Sequence, residues 1–343
     1  MIDGSGDAAA PSEDPQFLLP SSNSAADGRD VPTLTSIGIG KEDQQPMSPT
    51  LALLVKLLTS FALAGLLFDV GLRTSWRAMG TSLARTRMPA LLLLNFGLIP
   101  LLATGLATLF QLPAVTAMGM LLLAAAPFAP VVPIFARYAR ADLSLAAALT
   151  SLFPILSVLL TPLVCVWLGR WLPGSEPFYF NLPGLLLILG ITITLPLLAG
   201  VTLQKVAGTF AGKIQRPVAL LSEIAGAGAL VFVVVLEFPS ILHLGWQTLL
   251  AMVLLFEVAL WLGHLTGGPG VAQKRTTALG AGNRNIALAI LVAVDSFPDS
   301  EVVAVVVGNG LLLILLGLAH SGAFRWLAPR PPSVLPVPDR KRP

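Results

Sequence analysis

The sequence predicts an all-α polytopic membrane protein with about nine transmembrane helices, and three observations lead to this fold class. First, 55% of the 343 residues are hydrophobic and only 11% are charged, whereas a soluble domain carries roughly 25% charged residues. Second, apolar runs long enough to cross a hydrocarbon core as helices recur along the chain. Third, the arginines and lysines between these runs fall in every second loop. A single cysteine, Cys165, and three scattered histidines exclude a disulfide framework and predict no metal centre and no cofactor.

Composition divides the chain into three segments. Residues 1–46 are rich in Ser, Ala, Gly, Pro and acidic residues. A segment of this composition buries too little apolar surface to offset the conformational entropy lost on folding, so we predict a disordered acidic tail. Residues 47–328 contain the apolar runs and form the predicted transmembrane domain, and residues 329–343 form a basic, Pro-rich tail. Met47 stands just before the first apolar run, which leaves open a later start of translation.

The apolar runs predict the individual spans. Each run holds about 20 or more residues, the length that a helix needs to cross a bilayer. The protein is therefore predicted to be embedded in a lipid bilayer. Short polar or Pro- and Gly-marked turns separate the runs. The predicted spans cover residues 49–70, 88–110, 114–138, 143–169, 182–204, 217–238, 246–266, 275–294 and 302–326.

The charges in the loops predict the orientation. On one side of the membrane the loops between spans contain Arg170 as their only basic residue, beside five acidic residues. By the positive-inside rule, the opposite side is cytoplasmic, so a cell membrane protein with its N-terminus outside and its C-terminus in the cytoplasm is expected. The net charge of +3 therefore reflects topology, and no nucleic-acid partner is predicted. Lys56, near the outer end of the first span, is expected to extend to the membrane interface. The basic loops and tail are 71–87, 137–140, 205–216, 274–275 and 325–342.

Two spans contain residues that interrupt a helix. In the third span, Pro127, Pro130 and Pro133 follow one another at intervals of three, and each removes a backbone donor. Inside a membrane, such a break is tolerated only where protein or a cavity covers it. Matched breaks in the two halves of the chain predict an inverted-repeat transporter whose discontinuous helices cross at the binding site; the alternative is that Pro and Gly are simply common in membrane helices. The eighth span is interrupted by Gly280, Gly282, Asn283, Arg284 and Asn285.

Several motifs between residues 51 and 327 point to a known family. Residues 61–72 read FALAGLLFDVGL, 95–100 read NFGLIP, 139–145 read ARADLSL and 282–289 read GNRNIALA. Together with Ala126-Pro127, these motifs resemble the bile acid:sodium symporter family, whose wider relatives carry organic anions. The resemblance implies a panel domain, a core domain in which the two broken helices cross, and a substrate bound between the two domains.

The resemblance also implies sodium sites, and the sequence departs from them. Asn95 and Thr150 still offer side-chain oxygens at two positions that bind sodium in the family, which leaves a reduced site. A hard cation needs several oxygens to replace its water, so sodium coupling stays open. The family's other ligand positions are replaced by Val132, Pro133, Ala146, Gly280 and Arg284.

Arg284 suggests an alternative to sodium. A guanidinium stays protonated and costs about 2.5–3.5 kcal/mol at the centre of a membrane span, so we expect it to face a cavity and to have a partner. We hypothesise that Arg284 acts as a tethered cation that holds the crossing together or faces an anionic substrate. The alternative is a structural Arg–Glu pair, for which Glu257 is the first candidate by depth and Glu223 the second. The predicted binding or coupling residues are Asn95, Pro127, Pro130, Thr150, Gly282, Asn283, Arg284 and Asn285.

These observations predict a secondary active transporter of a small organic anion that works by alternating access. Helix N-termini at the breaks favour an anion. Coupling to protons through Glu257 or Glu223, to sodium through the reduced site, and no coupling all stay open. An enzyme is not expected, because no nucleophile–base or metal-ligand set lies at membrane depth. The alternative function is a non-transporting sensor or channel-like protein that retains the fold; the oligomeric state is not indicated.

Overall fold

The computed structural model describes residues 48–74, 80–81, 83–84, 86–172, 181–297 and 301–328, and the regular secondary structure in these ranges is helical. Both predicted tails, 1–46 and 329–343, lie outside the described residues. Single π-helical turns at Leu94–Leu98 and Gly190–Thr194 lie within two of the helices. In chain order the helices are α1 (Pro49–Arg73), α2 (Met88–Leu109), α3 (Ala114–Ala125), α4 (Val132–Tyr138), α5 (Leu143–Gly169), α6 (Leu182–Val206), α7 (Gly208–Leu236), α8 (Phe238–Leu242), α9 (Trp246–Thr266), α10 (Val271–Gly282), α11 (Ile286–Ser296) and α12 (Val302–Trp326).

The fold class predicted from the sequence is confirmed. Among the described residues, eight helical segments are long and apolar enough to cross a bilayer. One of them, Val271–Ser296, consists of α10 and α11 taken together. The predicted span 114–138 is divided into α3 and α4, and α3 is an apolar helix too short to be counted among the eight. With this divided span, the described chain has about nine crossings, as predicted.

Span boundaries were predicted unevenly. The observed helices α5, α9 and α12 have the predicted bounds, but α7 begins at Gly208 rather than at residue 217. Pro217 lies inside α7, so it does not mark the start of the helix. The error arises because the apolar run ends where the side chains become polar, whereas the helix continues as long as its backbone groups can pair.

The helices pack in two groups. One group, which we call the panel group, consists of α1 with α6 and α7 packed along it. The other, the core group, consists of α2–α5 and α9–α12; in it α3 packs against α2, α5, α11 and α12, and α10 packs along α9. The two groups contact each other where α1 packs against α11 and α5, where α6 packs against α5, and where α7 packs against α12. This arrangement places the two interrupted helices in one group and the long α1 and α7 in the other.

Two glycines allow α1 and α6 to approach within backbone contact. A Cβ atom on Gly71 would lie 2.4 Å from the carbonyl oxygen of Leu197, and one on Gly200 would lie 2.4 Å from the carbonyl oxygen of Phe68. Small residues at such contacts are typical of membrane helix pairs, because van der Waals packing rather than the hydrophobic effect holds the helices together in lipid. The panel group therefore depends on these two positions.

We predict that Gly200→Ala lowers the thermal stability of the purified protein by about 1–3 kcal/mol, the usual cost of overpacking. Gly228→Ala on α7 is the matched control, because a Cβ there meets nothing within 4 Å. Unfolding of both variants in detergent should separate them. Equal melting temperatures would show that the α1–α6 contact is not close.

Candidate functional site

The two helix breaks lie side by side and are hydrogen-bonded to each other. The backbone N–H of Asn285 donates to the carbonyl of Ala126 at 2.8 Å, and the N–H of Ala129 donates to the carbonyl of Asn283 at 3.3 Å. Backbone groups at membrane depth must be paired, and neither interrupted helix can pair these groups internally. The predicted crossing of the two discontinuous helices is thereby confirmed.

The first break is stabilised from α5 and by a buried aromatic ring. Thr161 donates its hydroxyl to the carbonyl of Ala125, the last residue of α3, at 2.6 Å. Phe128 adopts a left-handed backbone conformation with φ of 55°, which is rare for a bulky residue. Its ring is fully buried and packs on that of Phe153 with 4.3 Å between the ring centroids. The break is thus a packed turn in which each part has a defined partner.

The second break is stabilised by its two asparagines. The side-chain amide of Asn283 donates to the carbonyl of Leu279 at 2.8 Å and so pairs a backbone carbonyl in the last turn of α10. The side-chain oxygen of Asn285 accepts from the N–H of Leu288 at 3.1 Å and so caps the N-terminus of α11. Both asparagines are buried. The residue between them, Arg284, is therefore held at the point where α11 presents its positive end.

Arg284 is buried with only one hydrogen-bond partner in the described chain. It is 3% exposed, and its Nη1 donates to the side-chain oxygen of Asn95 at 2.8 Å. Asn95 lies in the π-helical turn of α2 and is itself fixed by donating to the carbonyl of Leu91 at 2.9 Å. Nη2 of Arg284 has no partner, and no carboxylate of a described residue lies within ion-pair distance of it. A neutral amide orients the guanidinium but leaves its charge uncompensated.

A cavity of about 330 Å³ lies between the panel group and the crossing. Most of its wall is apolar, and its polar members are few. Within the described residues, three buried polar atoms of the lining residues have no hydrogen-bond partner: Arg284 Nη2, Asn285 Nδ2 and Thr59 Oγ1. Because buried polar groups are nearly always paired, a polar ligand that came within reach of these atoms would satisfy groups that the described residues leave unpaired. The lining residues include Thr59, Ala62 and Leu66 of α1, Glu223, Gly226, Ala227 and Leu230 of α7, Pro130 and Val131 of the first break, Asn283, Arg284 and Asn285 of the second, and Ile290 of α11.

The positions at which the family resemblance implies sodium ligands are occupied differently. A Cβ on Gly280 would lie 1.9 Å from Cε1 of Phe128, so the phenyl ring fills the space that a larger side chain at position 280 would need. The side-chain oxygen of Asn95 already accepts from Arg284. Thr150 is buried, and its hydroxyl donates to the carbonyl of Ala146 in its own helix at 2.8 Å. Each of these two oxygens is thus already engaged in a hydrogen bond within the protein.

The structure brings only part of the predicted residue set to the cavity. Pro127 lies within the first break but not in the cavity wall, and Thr150 packs inside α5. Gly282 ends α10, where a Cβ would lie 3.0 Å from the ring of Phe256, so it is a packing position. Thr59 was not predicted, because a single hydroxyl in a long apolar helix carries no signal of the direction in which it faces. The predicted residues that do line the cavity are Pro130, Asn283, Arg284 and Asn285.

The two predicted counter-charges lie in different places. Glu257 of α9 is 3.3 Å from Nε2 of His320 on α12 and does not line the cavity. Glu223 of α7 lines the same cavity as Arg284. Of the two candidates, only Glu223 shares the cavity with Arg284, because depth along a helix says nothing about the direction in which a side chain projects.

An ion pair joins the two helix groups beyond the cavity. Lys56 of α1 donates to the carboxylate of Asp295 near the end of α11, and both side chains are partly buried. Lys56 lies one helical turn from Thr59, on the side of the predicted outer membrane face. Lys56 was expected to extend to the membrane interface, and its ion pair with Asp295, which links the panel group to the core group, was not predicted.

Two discontinuous helices that cross beside a cavity between two helix groups define the architecture of a secondary transporter. The model of the Sodium Bile acid symporter family matches residues 60–244, which is more than half of the chain. The protein therefore belongs to this family. Its members are symporters, in agreement with the prediction that the chain is not an enzyme.

Three curated relatives are similar over much of the chain. A chloroplastic protein of Arabidopsis thaliana named probable sodium/metabolite cotransporter BASS1 is 26% identical over 69% of this chain and 59% of its own length. The human sodium/bile acid cotransporter 4 is 28% identical over 68% of this chain and 54% of its own length. The human sodium-dependent organic anion transporter is 25% identical over 79% of this chain and 74% of its own length. The chain thus spans little more than half the length of the first two relatives.

We predict that Asn95→Leu destabilises the protein by about 1–3 kcal/mol, because it leaves a second nitrogen of Arg284 buried without a partner. The matched control is Asn309→Leu, since the buried side-chain amide of Asn309 has no hydrogen bond to any described residue. Thermal unfolding in detergent measures both. Removing both partners, in Asn95→Leu/Arg284→Leu, should recover much of the loss. Equal stability of the two single variants would contradict the assigned hydrogen bond.

Proposed function

We propose that this protein is a secondary transporter that carries a small organic anion across a cell membrane by alternating access. The observation that carries the proposal is the unpaired guanidinium nitrogen of Arg284, held beside the cavity between the two helix groups. Arginine can only donate hydrogen bonds and stays charged, so its ligand partner is an acceptor, and an anionic acceptor would also compensate the charge that neutral Asn95 leaves in place.

Three further features support an anion. The side-chain amide nitrogen of Asn285, also unpaired in the described chain, adds a second donor at the same end of the cavity. The N-terminus of α11 begins at the next residue and contributes a partial positive charge. One relative is named as an organic anion transporter and another as a bile acid cotransporter. A volume of about 330 Å³ lies at the small end of ligand pockets, which favours a small substrate.

We further propose that Arg284 replaces a coupling cation, so that transport does not require sodium. The ring of Phe128 fills the space beside Gly280, and the oxygen of Asn95 is engaged by the guanidinium. A fixed positive charge in this position supplies the attraction for an anion that a bound cation would otherwise supply, and it also repels a cation nearby. The proposal separates this chain from its relatives, whose names contain sodium.

Arg284→Gln should lower uptake of the transported acid into proteoliposomes by at least about tenfold, the value of one charged hydrogen bond. Uptake is measured with labelled small mono- and dicarboxylates under a sodium gradient, a proton gradient and no gradient. The wild-type protein should transport equally well with and without sodium. Arg275→Gln is the matched control, because Arg275 is a buried arginine outside the cavity wall. Full transport by correctly folded Arg284→Gln, or strict sodium dependence of the wild type, would refute the respective proposal.

Alternating access requires that one end of the cavity be closed in each state, and the ion pair of Lys56 and Asp295 is suited to close one end. The cavity-lining residues of α1 and α11 all lie on one side of this pair along their helices. By the loop charges, the pair lies toward the outer face. We infer that the structure represents a state closed to the outside, and that the pair breaks when the cavity opens there.

Lys56→Gln should raise the outer accessibility of the cavity by about fivefold, which corresponds to loss of a pair worth ~1 kcal/mol. Accessibility is read with a charged thiol reagent on Ala227→Cys, since Ala227 lines the cavity and Cys165 is fully buried. The exchanged pair Lys56→Asp/Asp295→Lys should restore slow labelling. Arg73→Gln is the control, because the ion pair of Arg73 in the described part of the chain is with Asp69 in the same helix. No change in labelling from the outer side would contradict the closure.

A further inference from the structure

The polar groups of the cavity are divided between its two walls. On the core side, Arg284 Nη2 and Asn285 Nδ2 are unpaired hydrogen-bond donors with no acceptor capacity. On the panel side, Glu223 of α7 contributes a carboxylate, and Thr59 of α1 contributes a hydroxyl that can donate or accept. One wall therefore recognises acceptors, while the other wall offers an acceptor. A ligand that satisfies both walls needs two different polar groups.

The carboxylate of Glu223 is free to contact a ligand. It makes no hydrogen bond or ion pair with any described residue, and Glu223 is an exposed residue that lines the cavity. Asp69 of α1, which interacts electrostatically with Glu223, is itself paired with Arg73. The negative charge of Glu223 adds repulsion for any further negative charge placed near it in the cavity.

We propose that the cavity selects monocarboxylates that carry a second hydrogen-bond donor, a hydroxyl or an ammonium group, and that Glu223 sets this selection. The proposal rests on the transport function proposed above and specifies its substrate class. The carboxylate of the ligand pairs with Arg284 and Asn285, and its donor pairs with Glu223. A dicarboxylate places its second charge against Glu223 and is excluded. The ligand body packs on apolar residues such as Leu66, Leu230 and Ile290.

The physical reason for the selection is the cost of unpaired polar groups. A ligand without the second donor leaves the carboxylate of Glu223 desolvated and without a partner when the cavity closes around it. Sites built to hydrogen-bond a substrate group reject the analogue that lacks this group more strongly than apolar pockets reject an extra methylene. Discrimination by one charged hydrogen bond corresponds to about tenfold or more in affinity.

The test is ligand-induced thermal stabilisation of the purified full-length protein by a matched series of acids. The series consists of pentanoate, its 2-, 3- and 4-hydroxy derivatives, norvaline and glutarate. At least one hydroxy acid or norvaline should bind about tenfold more tightly than pentanoate, and glutarate should bind most weakly. In Glu223→Gln, this preference should shrink and glutarate should gain affinity by about tenfold relative to pentanoate. Glu257→Gln is the matched control and should keep the wild-type order, because Glu257 does not line the cavity.

The outcomes separate this proposal from the function on which it rests. If pentanoate or glutarate binds the wild type as tightly as every donor-bearing acid, the substrate class is wrong although anion binding stands. If Glu223→Gln keeps the wild-type order while remaining folded, the role of Glu223 is wrong. If none of the acids stabilises the protein and none is taken up, the transport function itself fails. The wild-type ranking needs no variant, so a folding defect in Glu223→Gln leaves the substrate class testable.

Discussion

Two reciprocal backbone hydrogen bonds, from Asn285 to Ala126 and from Ala129 to Asn283, are the constraint on which the site depends. Lipid offers no water to an interrupted helix, so each break needs a partner that supplies both a donor and an acceptor. Here each break supplies this for the other. The pairing fixes where α11 begins, and with it the position of Arg284 and the positive helix end beside the cavity. Without the crossing, neither break would be tolerated at this depth.

The crossing also explains how a guanidinium can be kept inside the core group. Asn95 orients Arg284 through one nitrogen but cannot neutralise it, and the ring of Phe128 excludes other polar groups from the space beside Gly280. A charge that is oriented but not neutralised attracts a mobile anion, whereas an internal carboxylate within contact distance would have cancelled it. The ring of Phe128 and the guanidinium of Arg284 thus lie at positions where the family resemblance implies oxygen ligands for a cation. Apolar packing and a fixed charge take the place of those ligands.

The sequence predicted those features that follow from backbone chemistry. Three prolines spaced by three residues at 127, 130 and 133 disfavour one continuous helix, and the stretch from Gly280 to Asn285 is no ordinary apolar span, so the two breaks were predictable. Their crossing was predicted from their matched positions in the two halves of the chain. The directions in which side chains project could not be predicted in this way. Depth along the spans ranked Glu257 before Glu223, but the rotation of α9 and α7 against their neighbours places Glu223 at the cavity and Glu257 beside His320. Likewise, the sequence around Thr59 does not indicate that it lines a cavity, and the sequence around Lys56 does not indicate that it pairs with Asp295, which is far away in the chain.

The distribution of polar groups between the two helix groups ties binding to movement. Arg284 and Asn285 belong to the core group, while Thr59 and Glu223 belong to the panel group. A ligand that pairs with both walls contributes binding energy only when the groups are close enough for both contacts, so it favours one spacing of the groups over another. The ion pair of Lys56 and Asp295 links the same two groups and favours closure at one end. In the proposed mechanism, ligand and ion pair therefore act on the same spacing of the two helix groups, as coupling between binding and movement in a carrier requires.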